Sequence, residues 1–225
     1  MKVTDALLDL LFPPKCPFCQ KVQDAPGMCP ECEASLPWTD EAHSLRTLEG
    51  GLLCAAPLWY EGPVREAVRR FKFHGGVCAA GPLGECIAQA AAERLSGRFD
   101  AVTWVPVSAK RLRKRGYDQS RLLAERACRL WDVEPEALLR KVRDNPAQSS
   151  LERAEDRWKN TQGVYEAAGS PAGKRILLID DVCSTGSTLV SAAKALLEAG
   201  AAGVVCTAGA FPRPEEEIRG EKGKE

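Results

Sequence analysis

Ile176-Leu177-Leu178-Ile179-Asp180-Asp181-Val182-Cys183-Ser184-Thr185-Gly186-Ser187-Thr188 is the stretch on which the fold turns. Its four consecutive apolar residues have the pattern of a strand covered on both faces, as in a parallel sheet. Two carboxylates follow, then hydroxyls around one glycine, then the helical pattern of Thr188–Ala199, closed by Gly200. A helix that opens just past a buried strand leaves its first backbone N–H groups, here from about 184 to 188, facing outward. Such groups suit a phosphate, helped by the positive end of the helix dipole. Gly186 lets the backbone turn tightly and come close to a ligand. Thr185, Ser187 and Thr188 add hydroxyl donors, while Asp180 and Asp181 can accept from vicinal hydroxyls or help hold a metal. The plainer alternative is a strand–turn–helix with aspartates as caps. It would leave two adjacent carboxylates beyond a buried strand without a partner, which is costly. The loop lacks the Gly-Lys-Ser/Thr of the nucleotide P-loop and the G-x-G-x-x-G of dinucleotide folds.

Outward from this loop the alternation repeats. Leu52–Tyr60, Ala101–Val107, Arg175–Ile179 and Gly203–Ala208 read as strands. Helical spacing runs from Pro63 through Val64, Ala67, Val68 and Phe71, over the alanine-rich residues 83–95, and over Tyr117–Trp131. The pattern predicts an α/β fold with a mostly parallel, doubly wound sheet, whose ligands sit beyond the carboxyl ends of the strands. Residues 3–12 read as a short amphipathic helix stopped by Pro13-Pro14, 33–50 as a polar, irregular linker, and 144–160 as polar with a helix at 151–159. The expected division is 1–50 for the N-terminal helix, cysteine module and linker, 51–211 for the α/β domain, and 212–225 for a charged, flexible tail.

Four of the ten cysteines form C-x2-C-x9-C-x2-C: Cys16, Cys19, Cys29 and Cys32. Each pair makes a knuckle, and two knuckles complete a tetrahedral thiolate site for structural Zn2+. The segment is too small to bury a core, so metal would supply most of its folding energy. Redox disulfides are the rival reading, which the duplication disfavours. Four thiolates leave no open position, so this zinc is not expected to be catalytic. Cys54, Cys78, Cys86, Cys128 and Cys206 read as small apolar fillers, and Cys183 is given no role.

The chain balances 31 basic against 31 acidic residues, which argues against a protein that coats nucleic acid by overall charge. The cysteines are scattered rather than dense throughout, which fits a reducing compartment. The apolar run Leu7–Phe12 is short, with Asp5 and Asp9 nearby, and lacks a leader's cleavage site. No stretch approaches the roughly 20 apolar residues that span a bilayer. The expectation is a soluble, cytoplasmic protein with no membrane insertion. The tryptophans are dispersed and form no stacking platform.

A second charged feature follows Val105-Pro106-Val107-Ser108. Lys110, Arg111, Arg113, Lys114 and Arg115 place five cations within six residues, read as a basic loop, and Gly116-Tyr117-Asp118-Gln119 then opens a helix. In a parallel sheet this loop falls at the same end as the Asp180 loop. A solvated or nucleic-acid-binding loop is the alternative.

Hydrophobic strand, Asp-Asp, three residues, Thr-Gly-x-Thr resembles the signature of type I phosphoribosyltransferases. Arg-x-Arg-Gly-aromatic-Asp-Gln after a Val-Pro strand is similar to their ComF/GntX branch, where the aromatic is often followed by Asn rather than the Asp118 found here. Asn145-Pro146-Ala147-Gln148-Ser149-Ser150-Leu151, with Arg157 and Asn160, also resembles the branch, as does the cysteine-rich N-terminus. The resemblance covers about Leu8 to Phe211. It implies a phosphoribosyltransferase fold and binding of phosphoribosyl pyrophosphate (PRPP) with Mg2+. Residues 184–188 would hold the 5-phosphate, and Asp180 and Asp181 the ribose hydroxyls. Asp180, Asp181, Arg113 and Arg115 form the expected catalytic set, the arginines neutralising departing pyrophosphate. Ser184, Thr185, Gly186, Ser187, Thr188, Ser108, Lys110 and Gln119 join the aspartates as expected PRPP contacts. Gln148 and Arg157 are weaker candidates, and Lys72 and His74 are lesser phosphate or acceptor contacts, because the branch often has Tyr-Lys-aromatic there. The implied activity is transfer of the phosphoribosyl group, a pentosyl-class glycosyl transfer, to an acceptor the sequence does not name. The rival is a non-catalytic accessory protein of DNA uptake in natural competence. It would bind single-stranded DNA and competence-machinery proteins, with PRPP as a regulatory ligand. A catalytically silent PRPP sensor is a third option.

Overall fold

A computed structural model describes residues 13–143 and 163–214 of the chain. The expected helices at 3–12 and 151–159, the residues Gln148, Arg157 and Asn160, and the tail beyond residue 214 lie outside the described residues.

The sheet is built around β7 (Arg175–Val182) and β8 (Gly203–Phe211), which pair in parallel along almost their whole length. β4 (Ala101–Trp104) runs parallel to β7 on one side. On the other side β2 (Leu53–Ala55) and β3 (Leu58–Trp59) both pair in parallel with β8, and β1 (Leu45–Thr47) adds an antiparallel edge to β2. Along β7 the side chains alternate between two cores. Leu177 and Ile179 join one, Ile176 and Leu178 the other, and all four have zero exposure. This is the two-residue period of a strand covered on both faces. Burying four such side chains contributes roughly 6–12 kcal/mol before entropy is charged.

One face is covered by helices α2 (Gly62–Phe73), α3 (Ala80–Leu95) and α5 (Gln119–Arg129), with α1 (Pro30–Ser35) lying in the cysteine segment. The other is covered by α6 (Ser187–Glu198) together with a separate antiparallel pair, β5 (Leu139–Lys141) and β6 (Tyr165–Ala167). The expected α/β class and mostly parallel sheet are therefore observed. Among the described residues no helix is long and apolar enough to cross a membrane.

Several local expectations need correction. The stretch Leu52–Tyr60 is two short strands, because Pro57 brings no N–H to a ladder. The stretch 33–50 is not irregular: it carries β1, a 3-10 turn at Glu49–Gly51 and an antiparallel bridge from Trp38 to Leu58. The basic segment is not a loop but helix α4 (Ala109–Arg115). Ser108 caps its start by accepting from the Arg111 N–H, and Gly116 ends it at φ +82° with its N–H on the Leu112 carbonyl. Ala, Leu, Lys and Arg are all good helix formers, and three cations in the last turn favour the negative end of the dipole. β7 also runs three residues past Ile179, since Asp180 and Val182 still pair with Ala208 and Ala210 of β8. Cys78 is exposed, so it is no core filler, whereas Cys54, Cys86, Cys128 and Cys206 are buried as expected.

Helices α3 and α5 cross closely at Gly84. A Cβ there would stand 2.5 Å from the Arg126 Cβ and 3.1 Å from the Leu123 carbonyl oxygen. Gly84→Ala is expected to lower the urea midpoint, by about 1–3 kcal/mol of stability, because overpacking outweighs alanine's helix advantage of about 1 kcal/mol. A raised midpoint would show that the crossing has slack.

Candidate functional site

Because β4, β7 and β8 are parallel, their carboxyl ends lie together, and the segments that follow β4 and β7 meet there. The β7 segment supplies Asp180 and Asp181 from the strand's last turn of pleat, then Cys183–Gly186, then α6. Gly186 takes a left-handed φ of +77° at the helix N-cap, with no side chain capping it. A Cβ on it would also press within 2.9 Å of Leu48. Thr185 and Ser187 hydroxyls lie 3.0 Å apart, and the Ser187 N–H leans on the Thr185 hydroxyl at 3.4 Å. Asp180 and the residues 182–189 line a shallow, open depression. Ser184 and Thr185 are exposed at its rim, and Gly186 and Ser187 are buried in its wall.

The acidic pair is held from three sides. Asp180 Oδ1 accepts from the Ser120 hydroxyl at 2.9 Å and from the Asp181 N–H at 2.8 Å. Asp181, only 8% exposed, pairs through Oδ1 with Lys72 Nζ at 2.8 Å. Burial, then the Asp181 charge, pushes the Asp180 carboxyl up to about 7, against the opposing pull of Lys72 and its two donors. Burial works against the Lys72 ammonium, but Asp181 and then Asp180 hold it above the ordinary lysine range. A carboxylate kept at the edge of ionisation, with a second acid and a cation beside it, forms a site poised for a hydroxyl-rich or cationic ligand.

The basic helix holds cations in two settings, one partly buried beside the acids and three exposed to solvent. Arg115 is partly buried, feels the Asp181 charge, and donates from Nη1 to Gln119 Oε1 at 2.7 Å. Gln119 is fully buried and its amide nitrogen has no hydrogen-bond partner among the described residues. Lys110, Arg113 and Lys114 are exposed on α4. The Ser108 hydroxyl is engaged as the helix cap. Asp118, whose role the sequence left open, is a clasp: Oδ2 accepts from the Val107 N–H at 2.9 Å and Oδ1 from the Arg121 N–H at 3.2 Å. His74 is exposed just past α2 and makes no part of the acidic cluster's hydrogen bonding.

Sequence reasoning missed Ser120, and no signal marks it apart from its place in the first turn of a helix behind Gln119. It also missed Tyr165, which is buried on β6. Burial and then the Asp180 charge push its phenol up, and Lys141 donates to its hydroxyl at 3.3 Å.

The cysteine segment forms the second centre. The sulfurs of Cys16, Cys19, Cys29 and Cys32 lie within 4.8 Å of one another, and Cys19 and Cys29 are 3.7 Å apart. A tetrahedral zinc with bonds of about 2.3 Å needs sulfurs about 3.8 Å apart, so this donor set fits the ion. Burial opposes the Cys16 thiolate, but the N–H groups of Cys19, Cys29 and Phe18 bring that thiol down to about 6. Cys16, Phe18, Cys32 and Leu36 pack into the helical core, so the module rests on the domain.

The sequence is similar to known proteins along most of its length. A phosphoribosyl transferase domain model matches residues 101–223, more than half of the chain, and a double zinc ribbon domain model matches residues 7–45. The chain is 28% identical to competence protein ComFC of Bacillus subtilis over 84% of its own length and 74% of that protein's. It is 27% identical to competence protein F of Haemophilus influenzae, over 82% and 85%, and 29% identical to DNA utilization protein YhgH of Escherichia coli, over 79% and 81%. A solved phosphoribosylpyrophosphate synthetase from Mycobacterium smegmatis shares 19% identity at a TM-score of 0.37, over 58% of this chain and 33% of that one. The chain thus belongs to the phosphoribosyl transferase domain family, as a ComF-type member with an N-terminal zinc module.

Proposed function

We propose that the chain binds PRPP with Mg2+ at the end of β7 and transfers its phosphoribosyl group to an acceptor, releasing pyrophosphate. One observation carries this reading: the acidic pair, Asp181 buried and Asp180 half-buried, abuts the left-handed Gly186 and the start of α6, with Lys72 and Arg115 alongside. The N–H groups and hydroxyls from Ser184 to Thr188 suit the 5-phosphate. Asp180 and Asp181 suit the ribose 2- and 3-hydroxyls, and their hard oxygens, with those of the ligand, suit Mg2+. Bound there, the ion neutralises charge on pyrophosphate. In the reaction a nucleophile attacks C1, the bond from C1 to the pyrophosphate oxygen breaks, and pyrophosphate leaves with the electron pair. Positive character develops at C1 and the ring oxygen. The chain's contribution is positioning and electrostatic stabilisation, the cations Arg115, Lys110 and Arg113 meeting the developing negative charge. Gln119, whose buried amide nitrogen has no partner among the described residues, supports Arg115. No described residue is assigned as a general base.

A second reading is favoured by the relatives, which bear competence and DNA-utilization names. In it the exposed cations of α4 take single-stranded DNA and PRPP acts as a regulator.

Calorimetry with PRPP and Mg2+ tests the first reading directly. The wild-type chain is expected to bind, and Asp180→Asn together with Asp181→Asn to lose binding at least about 100-fold, because the ribose and ion contacts go together. In the second reading the same double variant keeps or strengthens its DNA binding, which weakens as salt rises. Wild-type protein that ignores PRPP sinks the first reading.

Asp180→Asn carries a separate expectation for stability. The folded protein holds the Asp180 proton up to about pH 7 against an ordinary value of 3.8. Ionising the group therefore costs the native state stability as pH rises between those values. The asparagine keeps the acceptor for Ser120 without the charge. Its unfolding free energy, from melting curves, is expected to match wild type near pH 4 and to exceed it above pH 7 by on the order of 1–3 kcal/mol. A pH-independent difference between the two melting curves would remove the argument.

A further inference from the structure

The last turn of α2 reaches two centres at once. Arg70 Nη2 donates to the carbonyl oxygens of Pro17 at 2.7 Å and Phe18 at 3.1 Å, both inside the first cysteine knuckle. Two residues on, Lys72 Nζ holds Asp181 at 2.8 Å. Residues two apart on a helix point about 200° away from each other, so the turn is a lever with the knuckle at one end and the acidic pair at the other. Its middle is fixed: Phe71 has zero exposure, its ring stacks on Tyr117 at 5.7 Å, and its carbonyl accepts from the Tyr117 hydroxyl. The adjoining Phe73 ring lies 5.2 Å from the Arg115 guanidinium. The chain then folds back so tightly that a Cβ on Gly76 would meet the Arg70 backbone at 3.0 Å.

The carbonyls that receive Arg70 belong to a turn of two residues between Cys16 and Cys19. That turn takes its shape from four sulfurs gathered on an ion, with Phe18 lodged against the core and the Gln20 amide donating to the Cys16 and Pro17 carbonyls as its other supports. Released, it takes away both acceptors of the half-buried Arg70, and the turn bearing Lys72 loses its tie to the knuckle.

We propose that Arg70 is a positioning residue through which the zinc knuckle sets the placement of Lys72, so that zinc occupancy and PRPP binding strengthen each other. The inference rests on the PRPP reading given above. Lys72 is the counter-ion of Asp181 in the free protein and turns to the pyrophosphate oxygens when PRPP displaces it from the carboxylate. Linkage makes the coupling reciprocal: if zinc tightens PRPP, PRPP must retain zinc to the same degree.

The test uses the full zinc-loaded chain. PRPP with Mg2+ is titrated by calorimetry into wild type, Arg70→Met, Arg70→Lys, Lys72→Met and the double variant Arg70→Met, Lys72→Met. In parallel, zinc loss to a zinc-selective chelator is followed in excess Mg2+, with and without PRPP. Arg70→Met is expected to retain one zinc per chain and wild-type helicity, yet to bind PRPP about 10-fold more weakly. Lys72→Met is expected to lose at least as much, and the double variant to lose little more than Lys72→Met alone, since both act on one contact. PRPP is expected to slow zinc loss from wild type and to have no effect on Arg70→Met. Wild-type affinity in a zinc-loaded Arg70→Met, or zinc loss from wild type that ignores PRPP, overturns the coupling while leaving the PRPP reading intact. If Arg70→Met fails to fold, Arg70→Lys and the chelation of wild type decide the matter. Absence of PRPP binding by wild type overturns both.

Discussion

A carboxylate pair set directly after four strand residues with no access to water is the constraint around which this chain is arranged. Asp180 and Asp181 are part of β7, whose preceding residues are sealed in two cores. They cannot retreat to solvent without unpicking the ladder to β8. The surrounding groups answer that cost: Ser120 and a backbone N–H on one acid, Lys72 on the other. What remains uncompensated is left for a ligand to supply, which is how a binding site differs from a satisfied core.

The two halves of the chain solve the same problem by different means. The domain has enough length to bury apolar faces on both sides of a sheet. The cysteine segment does not, and gathers four sulfurs in place of a core of its own. Its few apolar groups, Phe18 and Leu36 among them, are lodged against the domain's helices, and Arg70 ties the two chemically. The module is therefore continuous with the domain rather than hung from it.

The central strand, its acids and the helix start were legible because one stretch of 13 residues states them in order, with an apolar run, two charges, a glycine and a helical period. The parallel sheet followed from alternation alone. Other features depend on contacts that no local pattern encodes. Ser120 reaches Asp180 across 60 positions, and Lys72 reaches Asp181 only because α2 is laid down by its buried stripe of Val64, Ala67, Val68 and Phe71. The basic segment was misread because charge drew attention away from the Ser108 cap and the Gly116 stop, which mark a helix by ordinary rules. Asp118 shows the reverse limit. Its neighbours named a family position, while its job, accepting from two N–H groups on different segments, is visible only in three dimensions.

The seating of β8 has a consequence for how the protein can be divided. β8 is flanked by β7 on one side and by β2 and β3 on the other, yet the phosphoribosyl transferase match begins only at residue 101. A fragment cut at that boundary would keep β4, β7 and β8 but strip the far side of β8, baring a row of unpaired backbone groups next to Cys206, Ala208 and Ala210. Such a naked border recruits strands from other copies. The sheet thus extends beyond the matched segment, and residues 45–59 act as the seam that keeps it from growing.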